Sequence, residues 1–338
     1  MSSLPKTYKA AVLKAHGADL ELQDLPLVLP TKGQILVKVL ACGICHSDAW
    51  LQESAPVTFP AVPGHEIVGD VVAIGEDVTL FKEGDRVGSG WHGGHDGTCR
   101  TCQRGHFQNC ESQAVNGLNK SGGYAEYVIL RAEAAARVPR DMDVATVAPL
   151  FCAGVTVFNA IRKMHVEQGT LVAVQGLGGL GHLAVQFCRT MGYKTIAVSR
   201  GTDKRDFAFE LGAHGYIDTN LEDPAAALQK LGGAAMIVST APHGPSMTKL
   251  LPGLQPYGKL VVLAPVGNVE FDTTAIAVQG LQVVGWPSGI ALDCEETLDF
   301  VKTHGVKCMV QTFPLADFHN AFEGMKAGTP RFRNVLVM

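Results

Sequence analysis

Charge is scarce in this chain. Of 338 residues only 18% are charged, the net charge at neutral pH is −4, and neither sign is gathered into a run. No basic face is therefore implied for nucleic acid or an anionic lipid surface. The opening MSSLPKTYKAAVL has no continuous apolar stretch of the kind a secretory signal needs, so the chain reads as mature from its first residue and a cytoplasmic location is expected. Uninterrupted apolar spans are missing too. Residues 144–161 and 170–188 are charge-free and long enough to cross a bilayer, but Pro149, Thr156, Asn159, Gln175 and the glycines of a tight turn interrupt them, which argues against membrane spans. There is no internal repeat, low-complexity tract or Pro/Ser-rich linker. What is present is 46% apolar residues over a length that suits two domains. Nine cysteines, an odd number in a long chain without a secretory signal, point to thiols and metal ligands rather than a disulfide framework.

From residue 8 to about 138, short alternating or apolar runs such as QILVKVL, IVGDVVAIG and YAEYVIL are broken by Gly, Pro and Asp. That texture predicts a β-rich, loop-rich domain. From about Gly169, apolar strands alternate with helical stretches: LVAVQ, GLGHLAVQFCRTMG, TIAVS, DKRDFAFELGA and onward to KLVVLA and LQVVG. Strand and helix in turn predict an α/β domain with a doubly wound parallel sheet of the Rossmann type. Boundaries are expected at 1–153 and 287–338 for the first domain and 154–286 for the second, because CEETLDFVKTHG and RNVLVM do not clearly extend the alternation.

The segment LVAVQGLGGLGHLAVQFC places Gly176, Gly178 and Gly181 as G-x-G-x-x-G, with Gly179 and Leu180 between them, directly after an apolar strand and at the mouth of an apolar helix. In that context the pattern predicts a dinucleotide turn: the first glycine permits the tight bend, the second lets backbone approach the pyrophosphate, and the third lets helix pack on strand. At the end of the next strand the carboxylate that would bond a ribose 2′-hydroxyl is lacking. Ser199 stands there, followed by Arg200 and, a turn later, Lys204. A hydroxyl and two cations suit a 2′-phosphate, which predicts NADP(H) over NAD(H); the plainer reading is a solvated helix entrance.

Two segments of the first domain carry candidate metal chemistry, CGICHSD (residues 42–48) and GHEIVGDVVAIGEDV (residues 64–78). Thiolate and imidazole are a natural zinc pair, although a lone Cys or His is more often core filler. A third segment, HDGTCRTCQRGHFQNC, holds Cys99, Cys102 and Cys110 at C-x2-C-x7-C, and one more x2 step upstream lands on Asp96. Residues alone leave three readings: zinc with a carboxylate in place of a thiolate, zinc with His95 as the fourth ligand, or a metal-free polar loop.

GHEIVGDVVAIGEDV resembles the signature of the zinc-containing alcohol dehydrogenases of the medium-chain dehydrogenase/reductase superfamily, and GICHSD, LFCAGVTV and GLGGLG match its other motifs in order over nearly the whole chain. The resemblance implies a GroES-like catalytic domain beside the Rossmann domain. It implies Cys45, His65 and Cys152 as catalytic zinc ligands, Glu66 as an acid able to approach the metal, and Asp48 as the carboxylate that orients His65. It puts His46 and Arg333 near the cofactor pyrophosphate and Thr156 against the nicotinamide. Cys42, Cys188, Cys294 and Cys308 match no ligand position and are expected in the core. The Cys-rich segment resembles the family's lobe for a second, structural zinc, its first cysteine replaced by Asp96.

The implied activity is hydride transfer between NADP(H) and a primary alcohol or aldehyde. Two rivals are a zinc-free enoyl or quinone reductase of the same superfamily, whose members lack the Cys45, His65 and Cys152 set, and a non-catalytic nucleotide-binding protein sensing redox state through its cysteines. Ser47 matches the hydroxyl that takes the substrate proton. In many relatives a histidine five residues after the first zinc cysteine completes that relay; here the position holds Trp50, which cannot accept a proton. Alcohol oxidation is therefore expected to be slow at neutral pH. Trp50, Trp91, Trp286 and Ile290 would favour apolar or aromatic substrates, or are ordinary core. The resemblance implies a homodimer or homotetramer.

Overall fold

The computed structural model describes residues 4–338; the first three residues of the opening segment discussed above lie outside the described residues. Contacts divide the chain into two units, Met1–Val155 with Gly289–Thr303 and Cys308–Met338, and Thr156–Ser288 with His304–Lys307. The carboxyl-terminal segment thus rejoins the first unit, two residues of chain from the expected breaks at 153/154 and 286/287.

In the first unit the elements that position side chains of interest are β1 (Gln34–Gly43), α1 (His46–Glu53), β2 (Glu66–Ile74), β3 (Arg86–Ser89), β4 (Tyr127–Arg131) and β5 (Ala136–Arg137). The second unit follows with β6 (Leu171–Gln175), α2 (Gly181–Thr190), β7 (Lys194–Ser199), β8 (Gly215–Asp218), β9 (Ala234–Ser239), β10 (Leu254–Val262) and β11 (Gln282–Gly285). Two late strands, β12 (Val310–Pro314) and β13 (Arg333–Val337), return to the first sheet.

That sheet runs β12-β13-β1-β2-β3-β5, with β4 also paired to β1. β1 is antiparallel to β2, with Gly43 opposite Glu66, and antiparallel to β13, with Gly43 opposite Val335. The end of β1, the start of β2 and the start of β13 therefore meet. A Cβ added to Gly43 would lie 1.9 Å from Glu66 Oε2; glycine there makes the room that the Glu66 carboxylate occupies.

The second sheet has the order β8-β7-β6-β9-β10-β11, every neighbour pair parallel. β6 is buried at every residue, which is why it reads as a continuous apolar run: helices cover both faces of such a sheet. The order reverses beside β6, and the turn from β6 to α2 carries the glycines. Gly176 adopts φ +89°, a left-handed backbone that favours glycine. A Cβ on Gly181 would stand 1.9 Å from Gly176 O, whereas one on Gly178 would meet nothing within 4 Å. The third glycine is thus a packing requirement and the second faces open space.

Among the described residues no single helix is long and apolar enough to cross a membrane. Residues 144–161 form two helical pieces bent by 52°, and 170–188 fold as β6, the glycine turn and most of α2.

Candidate active site

Four side chains from separate parts of the first unit meet at the strand ends. Cys45 follows β1 as the N-cap of α1, His65 directly precedes β2 and Glu66 opens it, and Cys152 ends the short 3-10 turn Ala148–Phe151. One ligand atom from each lies within 4.8 Å of all the others. Cys45 Sγ and Cys152 Sγ are 3.8 Å apart, and His65 Nε2 is 3.3 Å from Cys152 Sγ. Two sulfurs bound to one tetrahedral zinc at the usual bond length stand ~3.8 Å apart, so the donor types and their spacing fit that ion.

The surroundings favour a cation. His65 is 1% exposed and its Nδ1 lies 3.3 Å from Asp48 Oδ1. The same Asp48 carboxylate accepts the Cys45 N–H at 2.8 Å and the Tyr124 hydroxyl at 2.7 Å, both through Oδ2. Burial opposes the charged imidazolium, yet the charge and hydrogen bond of Asp48, together with Cys45, push His65 well above its ordinary range. A hydrogen bond from Cys152 holds Cys45 well below the usual thiol range against burial, with Arg333 and His65 assisting. Cys152 is pushed the other way by its bond to Cys45 and by burial. Burial raises Glu66 to about 8 against the lowering influence of Arg333. A further positive centre would relieve this crowd of acids.

Arg333, which the resemblance implies at the cofactor pyrophosphate, is 4% exposed in the first unit, with Nη2 2.7 Å from Glu66 Oε1 and 3.8 Å from Cys45 Sγ. Its charge is matched by the buried carboxylate at the adjoining strand start. Glu66 keeps one free oxygen, since Oε2 has no hydrogen-bond partner. The other expected residues lie as follows. His46 is exposed at the start of α1, and Ser47 is half-buried with Oγ 3.7 Å from Cys45 Sγ. Trp91 packs edge-on against His65, ring centroids 5.0 Å apart, while Trp50 is 43% exposed on α1. Ile290 lines a cavity with Leu80, Phe81 and His92. Cys42, Cys188, Cys294 and Cys308 are buried.

The second cluster is also assembled. One oxygen of Asp96 and the sulfurs of Cys99, Cys102 and Cys110 lie within 4.8 Å of one another, and Cys99 Sγ is 3.9 Å from Cys110 Sγ. Backbone N–H groups of Asp96 and Ser112 donate to Cys110 Sγ at 3.4 and 3.3 Å, and that of Cys102 to Cys99 Sγ at 3.5 Å; such donors favour thiolates. Asp96 Oδ1 accepts from the Cys99 and Thr98 N–H groups at 2.9 and 2.7 Å, which holds the carboxyl well below its usual range. His95 stands outside this cluster, tilted on Phe107 at 4.2 Å with its Nδ1 3.2 Å from His92 Nε2.

In the second unit Gly178 is exposed at the turn, with Leu180 at the head of α2, and Thr156 is half-buried at the unit's first residue. Ser199 ends β7, level with Asp218 of β8, and Arg200 is exposed after it. Lys204 Nζ donates to Leu177 O at 3.3 Å, which brings this cation to the glycine turn. Two contacts of the loop were not readable in the sequence. Asp218 Oδ1 accepts the Gly201 N–H at 2.8 Å, and the Tyr216 hydroxyl donates to Gly201 O at 2.5 Å.

Residues 31–140 match the profile of the alcohol dehydrogenase GroES-like domain, and residues 179–303 that of the zinc-binding dehydrogenases. Over 338 residues, all of this chain and 99% of the other, it is 52% identical to the alcohol dehydrogenase patD of Penicillium expansum. An alcohol dehydrogenase of Geobacillus stearothermophilus is 34% identical over 97% of this chain and 98% of its own. Among solved structures, a cinnamyl alcohol dehydrogenase of Sorghum bicolor superposes with TM-score 0.89 at 31% identity, covering 98% of each chain. Acetophenone reductase of Geotrichum candidum, solved with NAD, gives 0.88 at 28% identity, covering 100% of this chain and 99% of its own.

The two clusters lead to a measurable expectation. Purified protein should carry two zinc ions per chain, and Asp96→Ala should release the one held by Asp96, Cys99, Cys102 and Cys110 while leaving the other in place. Elemental analysis that finds one zinc in both proteins would show the Asp96 cluster to be metal-free.

Proposed function

The chain belongs to the zinc-containing alcohol dehydrogenases of the medium-chain dehydrogenase/reductase superfamily, and on that premise we propose that it is a zinc-dependent, NADP(H)-preferring enzyme that interconverts primary alcohols and aldehydes, working best toward reduction. The observation that carries this reading is the convergence of two thiols and an imidazole, from three distant segments, onto one point. Cys45, His65 and Cys152 would hold the metal. Zinc in such a site is a Lewis acid that polarises a carbonyl oxygen and acidifies a hydroxyl, and the nicotinamide supplies or takes the hydride.

The remaining chemistry is left to the chain's own groups. Asp48 holds His65 in one orientation and one tautomer. Arg333 keeps Glu66 Oε1 tied, leaving Oε2 as a carboxylate oxygen beside the ligands. Ser47, close to Cys45 Sγ, takes the proton of an alcohol during oxidation and returns it during reduction. Beyond Ser47 the route lacks a base at Trp50, whose indole N–H donates but cannot accept a proton, so water carries the proton onward. Oxidation, which must export a proton, suffers more at neutral pH than reduction does. The indole of Trp91 against the His65 ring gives the metal-side pocket an apolar wall suited to apolar or aromatic aldehydes.

Cofactor preference follows from Ser199, Arg200 and Lys204. With no acid at the end of β7 to repel a 2′-phosphate and two cations to hold it, kcat/KM should be at least about tenfold higher with NADPH than with NADH, since one lost charged contact costs ~1.5–3 kcal/mol. Steady-state assays with an aldehyde panel test this: Arg200→Ala should weaken NADPH selectively, and equal use of both cofactors by the unaltered enzyme would refute the assignment. The proton route makes a separate prediction. Alcohol oxidation should rise steeply from neutral to alkaline pH, Ser47→Ala should lower kcat about 100-fold in both directions, and Trp50→His should raise oxidation at neutral pH. A nearly silent Ser47→Ala, or oxidation that does not vary with pH between about 6 and 9, would remove Ser47 from the route.

A further inference from the structure

We propose that Tyr124 is a positioning residue of the metal centre: its hydroxyl and its backbone together staple the Asp48 carboxylate to the segment that carries His65. Tyr124 is fully buried, and its Oη donates to Asp48 Oδ2 at 2.7 Å. Its backbone N–H donates to Pro63 O at 3.1 Å, two residues before His65, and its carbonyl accepts the Ala11 N–H at 2.8 Å. The ring covers Gly64, where an added Cβ would stand 2.4 Å from Tyr124 Cδ1. One residue thus fixes both partners of the contact between Asp48 Oδ1 and His65 Nδ1.

The chemistry of the residue argues for this role over space filling. A phenylalanine would fill the same place against Gly64 and Cys42, and a buried hydroxyl costs desolvation unless it is bonded. Here the hydroxyl completes the set around a 2% exposed carboxylate whose Oδ2 otherwise keeps only the Cys45 N–H. With both donors on Oδ2, the carboxylate cannot turn about its terminal bond. Oδ1 is then presented to His65, and His65 Nε2 to the Cys152 sulfur. Removing the hydroxyl leaves Oδ2 to the Cys45 N–H alone, which loosens the carboxylate and with it the orientation of the ligand imidazole. The inference rests on the zinc reading given above.

The test is metal retention by the full-length protein. Zinc content of the unaltered protein is measured first, then the rate at which a chelating dye, 4-(2-pyridylazo)resorcinol, strips it. Tyr124→Phe keeps the ring and should lose the zinc held by Cys45, His65 and Cys152 about tenfold faster or more. Release from the Cys-rich lobe should be unchanged, serving as an internal control. The visible absorption of the cobalt-substituted protein should shift, and the double variant Asp48→Asn, Tyr124→Phe should lose metal no faster than Asp48→Asn alone, because the hydroxyl acts only through that carboxylate. Unaltered protein without zinc would overturn the zinc reading itself. Zinc-bearing protein in which Tyr124→Phe leaves release and spectrum unchanged, or in which the two substitutions add, would overturn the role of Tyr124 alone.

Discussion

Burial of like charge is the constraint on which the first unit is arranged. Cys45, Cys152, Glu66 and Asp48 are acids crowded at the ends of β1 and β2, opposed by one guanidinium and one imidazole. Removing so many ionisable groups from water is unfavourable unless charge is balanced and hydrogen bonds are complete. Several otherwise unrelated features answer that requirement: Gly43 yields its side-chain volume to Glu66, Arg333 comes to Glu66 from β13 at the far end of the chain, and Tyr124 and the Cys45 N–H both serve Asp48. A divalent ion on the two sulfurs and the imidazole would supply the remaining contribution, and the donor spacing fits it.

The second unit solves a different problem, that of placing an anion against backbone. Its glycines divide the labour by position. Gly176 supplies a left-handed bend, Gly181 lets α2 start within contact of the bend, and Gly178 leaves the approach open. Lys204 reaches back to the carbonyl of Leu177 inside this turn, and Asp218 and Tyr216 tie down the loop that follows Ser199. The loop after β7 is thus held by strand β8 as well as by its own residues.

How much of this was legible in the sequence differed with the range of the interaction. The alternation of strands and helices, the glycine turn and the C-x2-C-x7-C lobe are local patterns, and each is visible because side-chain period or ligand spacing is written along the chain. Cys152 was another matter. Nothing between His65 and Cys152 marks it as a ligand, and only resemblance to a known family picked it out; the fold brings it in at the end of a 3-10 turn. The pairing of Arg333 with Glu66 was not visible because the two lie 267 positions apart, and it follows from the β13-β1-β2 order, which no local pattern encodes. Tyr124 and Asp218 were missed for the same reason. A buried tyrosine or aspartate looks like any other until its acceptor or donor is known, although a polar side chain amid the GGYAEY run was a hint that the hydroxyl must find a partner.

The site as arranged calls for a metal ion on Cys45, His65 and Cys152. Anomalous diffraction from crystals of the purified protein at the zinc absorption edge tests it most directly. The account predicts a strong peak between the two sulfurs and His65 Nε2, with metal–sulfur distances of about 2.3 Å and a metal–nitrogen distance of about 2.0–2.1 Å. Protein that reduces aldehydes at full rate yet shows no scatterer at that point would contradict it.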